Sequence, residues 1–266
     1  MALIVLHFPD HLFDRPDDGD FCITAGNDKS IKLWNPNKNL LLKKYDGHHS
    51  DVLDAVSSHD NANIVSGGTD KTVILWDVTN SEPVRRMRGH YGDVNSLTFN
   101  ADSSVILSAS SDHSVRIWDV RSRSKEPIQM LDDARDSVTS VTVSEHEIIT
   151  GSLDCKVRRY DLRVGIMNMD DVKAAVSNVR FTRDGQCILC NCLNNSVKLL
   201  DKETGCILQE FRGHVNSKYR VDGCLLKNDE IVLSGSEDGA VYAWSLTEVS
   251  TPILPSFPPN TQPSFL

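Results

Sequence analysis

Histidine, serine and aspartate recur together three times along this 266-residue chain, as His48/Ser66/Asp70, His90/Ser108/Asp112 and His214/Ser234/Asp238. These types could do acyl-transfer chemistry, with a serine nucleophile and a histidine base oriented by a carboxylate. Three copies carried on a repeat argue against catalysis, and no G-x-S-x-G turn is present to expose a nucleophile. Neither a GxxxxGK[ST] phosphate loop nor an HExxH zinc motif occurs. Cys187-Ile188-Leu189-Cys190-Asn191-Cys192 carries thiol ligands. An extended segment, however, sends Cys190 and Cys192 to one face and Cys187 to the other. A zinc knuckle needs a turn and two further ligands, so the cysteines read as buried small hydrophobes. No catalytic residue, metal or cofactor is expected.

What positions these side chains is a repeat. Asp28/Trp34, Asp70/Trp76, Asp112/Trp118, Asp154/Tyr160, Asn194/Leu200 and Asp238/Trp244 share one offset, and the second members lie 42, 42, 42, 40 and 44 residues apart. A period of about 40–45 residues marks a four-stranded propeller blade. In the third repeat, Val94–Phe99 alternates with strand period and Asn100–Ser103 is a turn. Val105–Ala109 is a near-continuous apolar strand, Ser111-Asp112-His113 a tight turn, and Val115–Trp118 a third strand. Outer strands are expected at Leu40–Tyr45, Pro83–Met87, Pro127–Leu131, Val164–Met169, Ile207–Phe211 and Thr251–Phe257.

These residues resemble the WD-repeat β-propellers over roughly residues 20–255. The resemblance implies an all-β propeller with six recognisable blades. In such blades a buried tetrad of His, Ser or Thr, Asp and Trp ties the entering loop to the second and third strands. Complete sets here are His48/Ser66/Asp70/Trp76, His90/Ser108/Asp112/Trp118 and His214/Ser234/Asp238/Trp244. Thr24/Asp28/Trp34 and Thr150/Asp154/Tyr160 are partial sets, and Cys190/Asn194/Leu200 is eroded, so the fifth blade should be held mainly by its neighbours. Residues 1–19 read as a degraded first strand and terminal segment, 20–250 as the propeller, and 251–266 as a proline-rich tail. The chain is either a six-bladed ring or a truncated seven-bladed one. Degradation at both ends together favours truncation.

A hydrophobic content of 39% with 24% charged residues permits a packed core, and a net charge of −9 argues against binding nucleic acid through bulk electrostatics. Seven cysteines and no secretory signal fit a reducing compartment, and the apolar run Met1–Phe8 is too short to span a bilayer. A soluble intracellular protein without membrane or direct nucleic-acid partners is expected. The basic stretches Arg85–Arg88, Arg121–Lys125 and Lys156–Arg159 read as a solvated edge that deters sheet pairing. Asn194-Asn195-Ser196 matches a glycosylation acceptor but occupies a tight turn.

Particular segments resemble one family more closely, the mitogen-activated protein kinase organisers. They are residues 27–36, 105–123, 131–165, 181–189, 199–205 and 213–226, of which LDDARDSVTSVTVSEHEIITGSLDCKVRRYDLRVG is the most specific. The resemblance implies a non-enzymatic scaffold gathering components of the extracellular-signal-regulated kinase cascade. It also implies association with the spliceosome, hence both cytoplasm and nucleus. Partner contacts are expected from the residue before each tight-turn Asp or Asn, pointing from the rim: Asn27, Thr69, Ser111, Leu153, Leu193 and Glu237. The loops entering first strands add Tyr91, Asp93, Arg135, Tyr219 and Arg220, with the aromatics and arginines as anchors. A second reading rests on Trp118-Asp119-Val120-Arg121 and Tyr160-Asp161-Leu162-Arg163. These resemble the signature by which substrate receptors dock onto cullin ubiquitin ligases through Arg121 and Arg163.

Overall fold

Short strands punctuated by residues with positive φ build every sheet of the computed structural model, which describes residues 21–122, 124, 126–226 and 229–246. The degraded first strand expected in residues 1–19, the outer strand expected at Thr251–Phe257 and the proline-rich tail lie outside the described residues. The chain divides into two units, residues 1–145 and 146–266.

In the first unit, β1 (Cys22–Ala25), β2 (Ser30–Asn35) and β3 (Leu40–Asp46) form an antiparallel meander. β4 (Val52–Ser57), β5 (Asn63–Gly68), β6 (Thr72–Asp77) and β7 (Pro83–Arg88) form the next. β8 (Val94–Phe99), β9 (Val105–Ser110), β10 (Val115–Asp119) and β11 (Gln129–Leu131) form a third, and β12 (Val138–Val143) lies against β8 and β9. The second unit holds β13 (Glu147–Ser152), β14 (Lys156–Asp161) and β15 (Ile166–Asp171) as consecutive neighbours. β16 (Val176–Phe181), β17 (Cys187–Cys192), β18 (Ser196–Asp201) and β19 (Ile207–Arg212) follow, then β20 (Gly223–Leu226), β21 (Ile231–Gly235) and β22 (Val241–Ser245).

The core lies between the sheets. Ile31, Tyr45, Ile64 and Trp76 join the first sheet to the second, and Val65, Leu75, Phe99 and Trp118 join the second to the third. In the second unit the fifth sheet is packed on both sides, by Ile188, Cys190 and Leu200 on one and by Leu189, Val197 and Phe211 on the other. Middle strands buried on both faces carry apolar runs for this reason. The outer strands at Pro127 and Val164 start later than the sequence pattern suggests, at Gln129 and Ile166. Apolar residues in the connecting turns, Ile128, Leu162 and Val164, are exposed and do not belong to a strand.

One register recurs throughout. The Ser or Thr of each repeat stands opposite the residue four after its turn Asp or Asn: Thr24 faces Lys32, Ser66 faces Ile74, Ser108 faces Arg116 and Thr150 faces Arg158. Cys190 likewise faces Lys198, and Ser234 faces Tyr242. The turn that sets this register places the residue after each Asp or Asn in the left-handed region, at φ between 61° and 84° for Lys29, Lys71, His113, Cys155, Asn195 and Gly239. A tight hairpin turn of this kind needs such a residue.

Candidate functional site

The two sound tetrads are chains of directed hydrogen bonds. The Trp76 indole N–H donates to Ser66 Oγ at 2.7 Å, leaving that hydroxyl to donate to His48 Nε2 at 2.7 Å. His48 therefore carries its proton on Nδ1 and gives it to Asp70 at 2.9 Å. Trp118, Ser108, His90 and Asp112 repeat the chain at 2.9, 2.7 and 2.9 Å. Each Asp also accepts from the Thr72 or Ser114 hydroxyl of its own turn and from the backbone N–H of His49 or Tyr91 on the entering loop. Burial pushes these two carboxyls up. The His ring, the hydroxyl and the amide outweigh it and hold both well below the usual range. Every serine here receives a proton from an indole and sits against a filled imidazole, so it is not a free nucleophile.

The glycine before each histidine has a steric reason. A Cβ on Gly47 would lie 2.8 Å from the rim of the Trp76 ring, and one on Gly89 3.1 Å from that of Trp118. Only a bare backbone lets the loop lie on the indole.

The third set does not close, contrary to expectation. Trp244 donates to the Arg212 carbonyl at 3.2 Å, and Ser234 Oγ accepts from Asn191 Nδ2 at 3.0 Å. Asp238 takes the Tyr242 hydroxyl at 2.8 Å, and neither nitrogen of the buried His214 has a partner among the described residues. Burial pushes this imidazole below its ordinary value, with the Asp238 charge pulling the other way. The physical reason is length. His and Ser are 18 positions apart in the closed sets and 20 apart here, and the longer loop moves the ring off its acceptor.

In two of the three repeats without the histidine, a cation on the third strand pairs with the turn carboxylate in its place. Arg158 donates to both oxygens of Asp154, at 2.5 and 3.3 Å, and its side chain is 2% exposed. Lys32 pairs with Asp28 at 2.7 Å, and the buried Lys198 reaches the Val172 carbonyl at 2.8 Å. These cations were missed from sequence, although the spacing of four from the turn Asp or Asn is a readable signal. Trp34 still donates to Thr24 at 2.9 Å without any histidine.

The basic stretches are only partly a solvated edge, with Arg86, Arg88 and Arg121 exposed. Arg85 donates to the carbonyls of Asp119 and Ser122 at 2.7 and 2.5 Å and to that of Ser124, while Arg86 holds the Gly47 carbonyl at 2.8 Å. Lys156 pairs with Asp171 at 2.9 Å. Carbonyls outside the strand ladders still need donors, and long cationic side chains reach them.

The rim residues divide into inward and outward groups. Thr69 donates to Ser50 at 2.7 Å, Ser111 bonds Asn95 and Ser137, and Leu153 and Leu193 are half-buried. Glu237 accepts the amides of Ser217, Lys218 and Tyr219 at 2.8, 2.6 and 3.0 Å, which hold its carboxyl down to about 2. Its expected outward role gives way to ordering the loop that enters β20. Asn27, Tyr91, Arg135 and Tyr219 are exposed, and Asp93 and Arg220 are intermediate. Tyr91 is 81% exposed, with the Arg116 guanidinium 5.6 Å from its ring centroid. Arg121 and Arg163 are both exposed, and Arg163 pairs with Asp161 at 3.1 Å. Cys190 and Cys192 are fully buried, burial pushing the Cys192 thiol up to about 11. No cluster of three metal-ligating side chains occurs among the described residues, and no helix there is long and apolar enough to cross a membrane.

The WD domain, G-beta repeat family model matches residues 13–35, 39–77, 81–119 and 205–245. The chain is similar to the WD repeat domain-containing protein 83 of Rattus norvegicus, 62% identical over 233 residues, covering 88% of this chain and 74% of that protein. The Homo sapiens protein of that name is 60% identical over 231 residues, 87% and 73% of the two chains. A Dictyostelium discoideum homolog is 32% identical over 257 residues, 86% and 79% of the two.

Proposed function

The chain belongs to the WD-repeat family, all-β proteins of the β-propeller class, and from that premise we propose that it is a non-enzymatic scaffold for protein assembly. One observation carries the reading. Among the described residues, the closed His48 and His90 sets spend their polar atoms on one another, while Tyr91, Arg135 and Tyr219 stand exposed on loops. Exposed aromatics and arginines on ordered loops are the usual anchors of protein interfaces.

The partners we propose are components of the extracellular-signal-regulated kinase cascade and proteins of the spliceosome, with work in both cytoplasm and nucleus. The segments 105–123, 131–165 and 213–226 support this choice through their likeness to kinase organisers. Affinity purification from cell extract with mass spectrometry tests it. Recovery of kinase-cascade or splicing proteins, reduced for Tyr91→Ala, is the expected result, and recovery of neither class overturns the proposal.

A second reading, a substrate receptor of a cullin-type ubiquitin ligase, is favoured by one fact. Arg121 is exposed on the loop after β10 and only its backbone is held, by Asp119. Ligase-adaptor binding that is unchanged in Arg121→Ala and Arg163→Ala removes this reading.

A further inference from the structure

The connection between β10 and β11 spans nine residues, 120–128, whereas the connections after β2, β6, β14 and β18 span four or five. Its sequence is Arg121-Ser122-Arg123-Ser124-Lys125-Glu126-Pro127 between Val120 and Ile128. Ser124 is exposed. Its hydroxyl accepts from the Glu126 amide at 3.1 Å and faces the Glu126 carbonyl at 3.3 Å, weak local bonds that water can replace. Ser122 is half-buried, and its hydroxyl accepts from the Ser124 amide at 3.1 Å.

Under this loop lies a guanidinium already in place. Arg85, on the outer strand of the preceding sheet, donates to the carbonyls of Asp119, Ser122 and Ser124 itself. Forty-two residues earlier, Lys43 does the same for the carbonyls of Val78 and Thr79. The junction device therefore belongs to the repeat. The long loop with serine three residues after an exposed arginine belongs to this junction.

We propose that Ser124 is a phosphoryl-acceptor site for an arginine-directed serine/threonine kinase, with Arg85 as the cation that receives the phosphate. Ser124 Oγ attacks the γ-phosphorus of ATP, its proton passes to the kinase's base, and the bond to ADP breaks. The new group carries roughly −1.5 to −2 charge and three strong acceptor oxygens. A phosphate is a better partner for a guanidinium than a carbonyl is, and Arg85 is held at the same residue's carbonyl. The loop passes from carbonyl-held to ion-paired. This inference stands whichever partners the scaffold binds.

The test phosphorylates the folded full chain with the catalytic subunit of an arginine-directed kinase and Mg-ATP, and maps phosphate by mass spectrometry. Phosphate on Ser124, absent from Ser124→Ala and slowed roughly tenfold in Arg121→Ala, is expected from loss of charge complementarity to the kinase. Phosphate on Ser122 in its place, or none on the folded chain, overturns the site. Phosphorus NMR then titrates the phosphoserine. Its second pKa lies below the free value of about 6 in wild type and Arg85→Lys and returns to about 6 in Arg85→Met. An unshifted value in wild type overturns the role of Arg85. A shift that persists in Arg85→Met does the same.

Discussion

Ser108 accepts a hydrogen bond from the Trp118 indole and donates one to His90, which donates one to Asp112. Breaking such a chain strands buried groups, each costing about 1–3 kcal/mol. We expect His48→Leu to lower stability by about 2–4 kcal/mol, because Asp70 and Ser66 lose a partner. His214→Leu should leave stability unchanged or raise it by about 1 kcal/mol, since His214 satisfies nothing. Urea melts of the two variants decide the point, and equal losses contradict the open state of the His214 set. Arg158→Met leaves the Asp154 carboxylate, 10% exposed, without its cation and should cost about 3 kcal/mol in the same assay. The acid response follows from the carboxyls. Asp70 and Asp112 titrate lower folded than unfolded, so their stabilisation is present above pH 3.8 and fades as pH falls below it. Glu237 contributes above pH 4.5 and loses its share between 4.5 and about 2. Thermal melts from pH 7 to 2.5 should show Glu237→Gln with a shallower decline below pH 4.5 than wild type.

At the scale of strands and turns, most of the architecture is legible in the chain. Val94–Phe99 alternates, Val105–Ser110 is continuously apolar, and the turn at Ser111-Asp112-His113 sits where Asp and a left-handed residue place it. These are local signals, decided within a few residues. The candidate site was legible only in part. The side chains of the His48 and His90 sets were found, but the bond from Arg158 to Asp154 was not, because it depends on which residue the register sets beside the carboxylate. The arginines of β7 read as solvent-facing by charge alone, yet Arg85 is spent on carbonyls 34 to 39 positions away. A loop-scale prediction follows from Gly47. A methyl there meets the Trp76 ring, which is fully buried and has no room to retreat. Gly47→Ala should cost about 1–3 kcal/mol in denaturant melts, and a cost near zero would mean that the loop does not lie on the indole.

For the molecule as a whole, charge and occupancy act together. The net charge is −9, and Arg85, Arg86 and Arg158 are engaged with carbonyls or a carboxylate. No basic footprint is left by these residues for a phosphate backbone. Fluorescence anisotropy with a single-stranded RNA at physiological salt should give a Kd weaker than about 10⁻⁴ M, the upper edge of non-specific binding. Tight, salt-sensitive binding would contradict that account. The sequence by itself determined the period, most of the strands and turns, and the residues able to form tetrads, since hydrophobic alternation and turn chemistry act over a few positions. Only the tertiary structure decided which Ser, His and Asp join, which cations stand in for a missing histidine, and which loop residues face inward. Hydrogen bonds require donor and acceptor within about 3 Å. Two inserted residues between His214 and Ser234 exceed that tolerance while leaving the repeat itself readable.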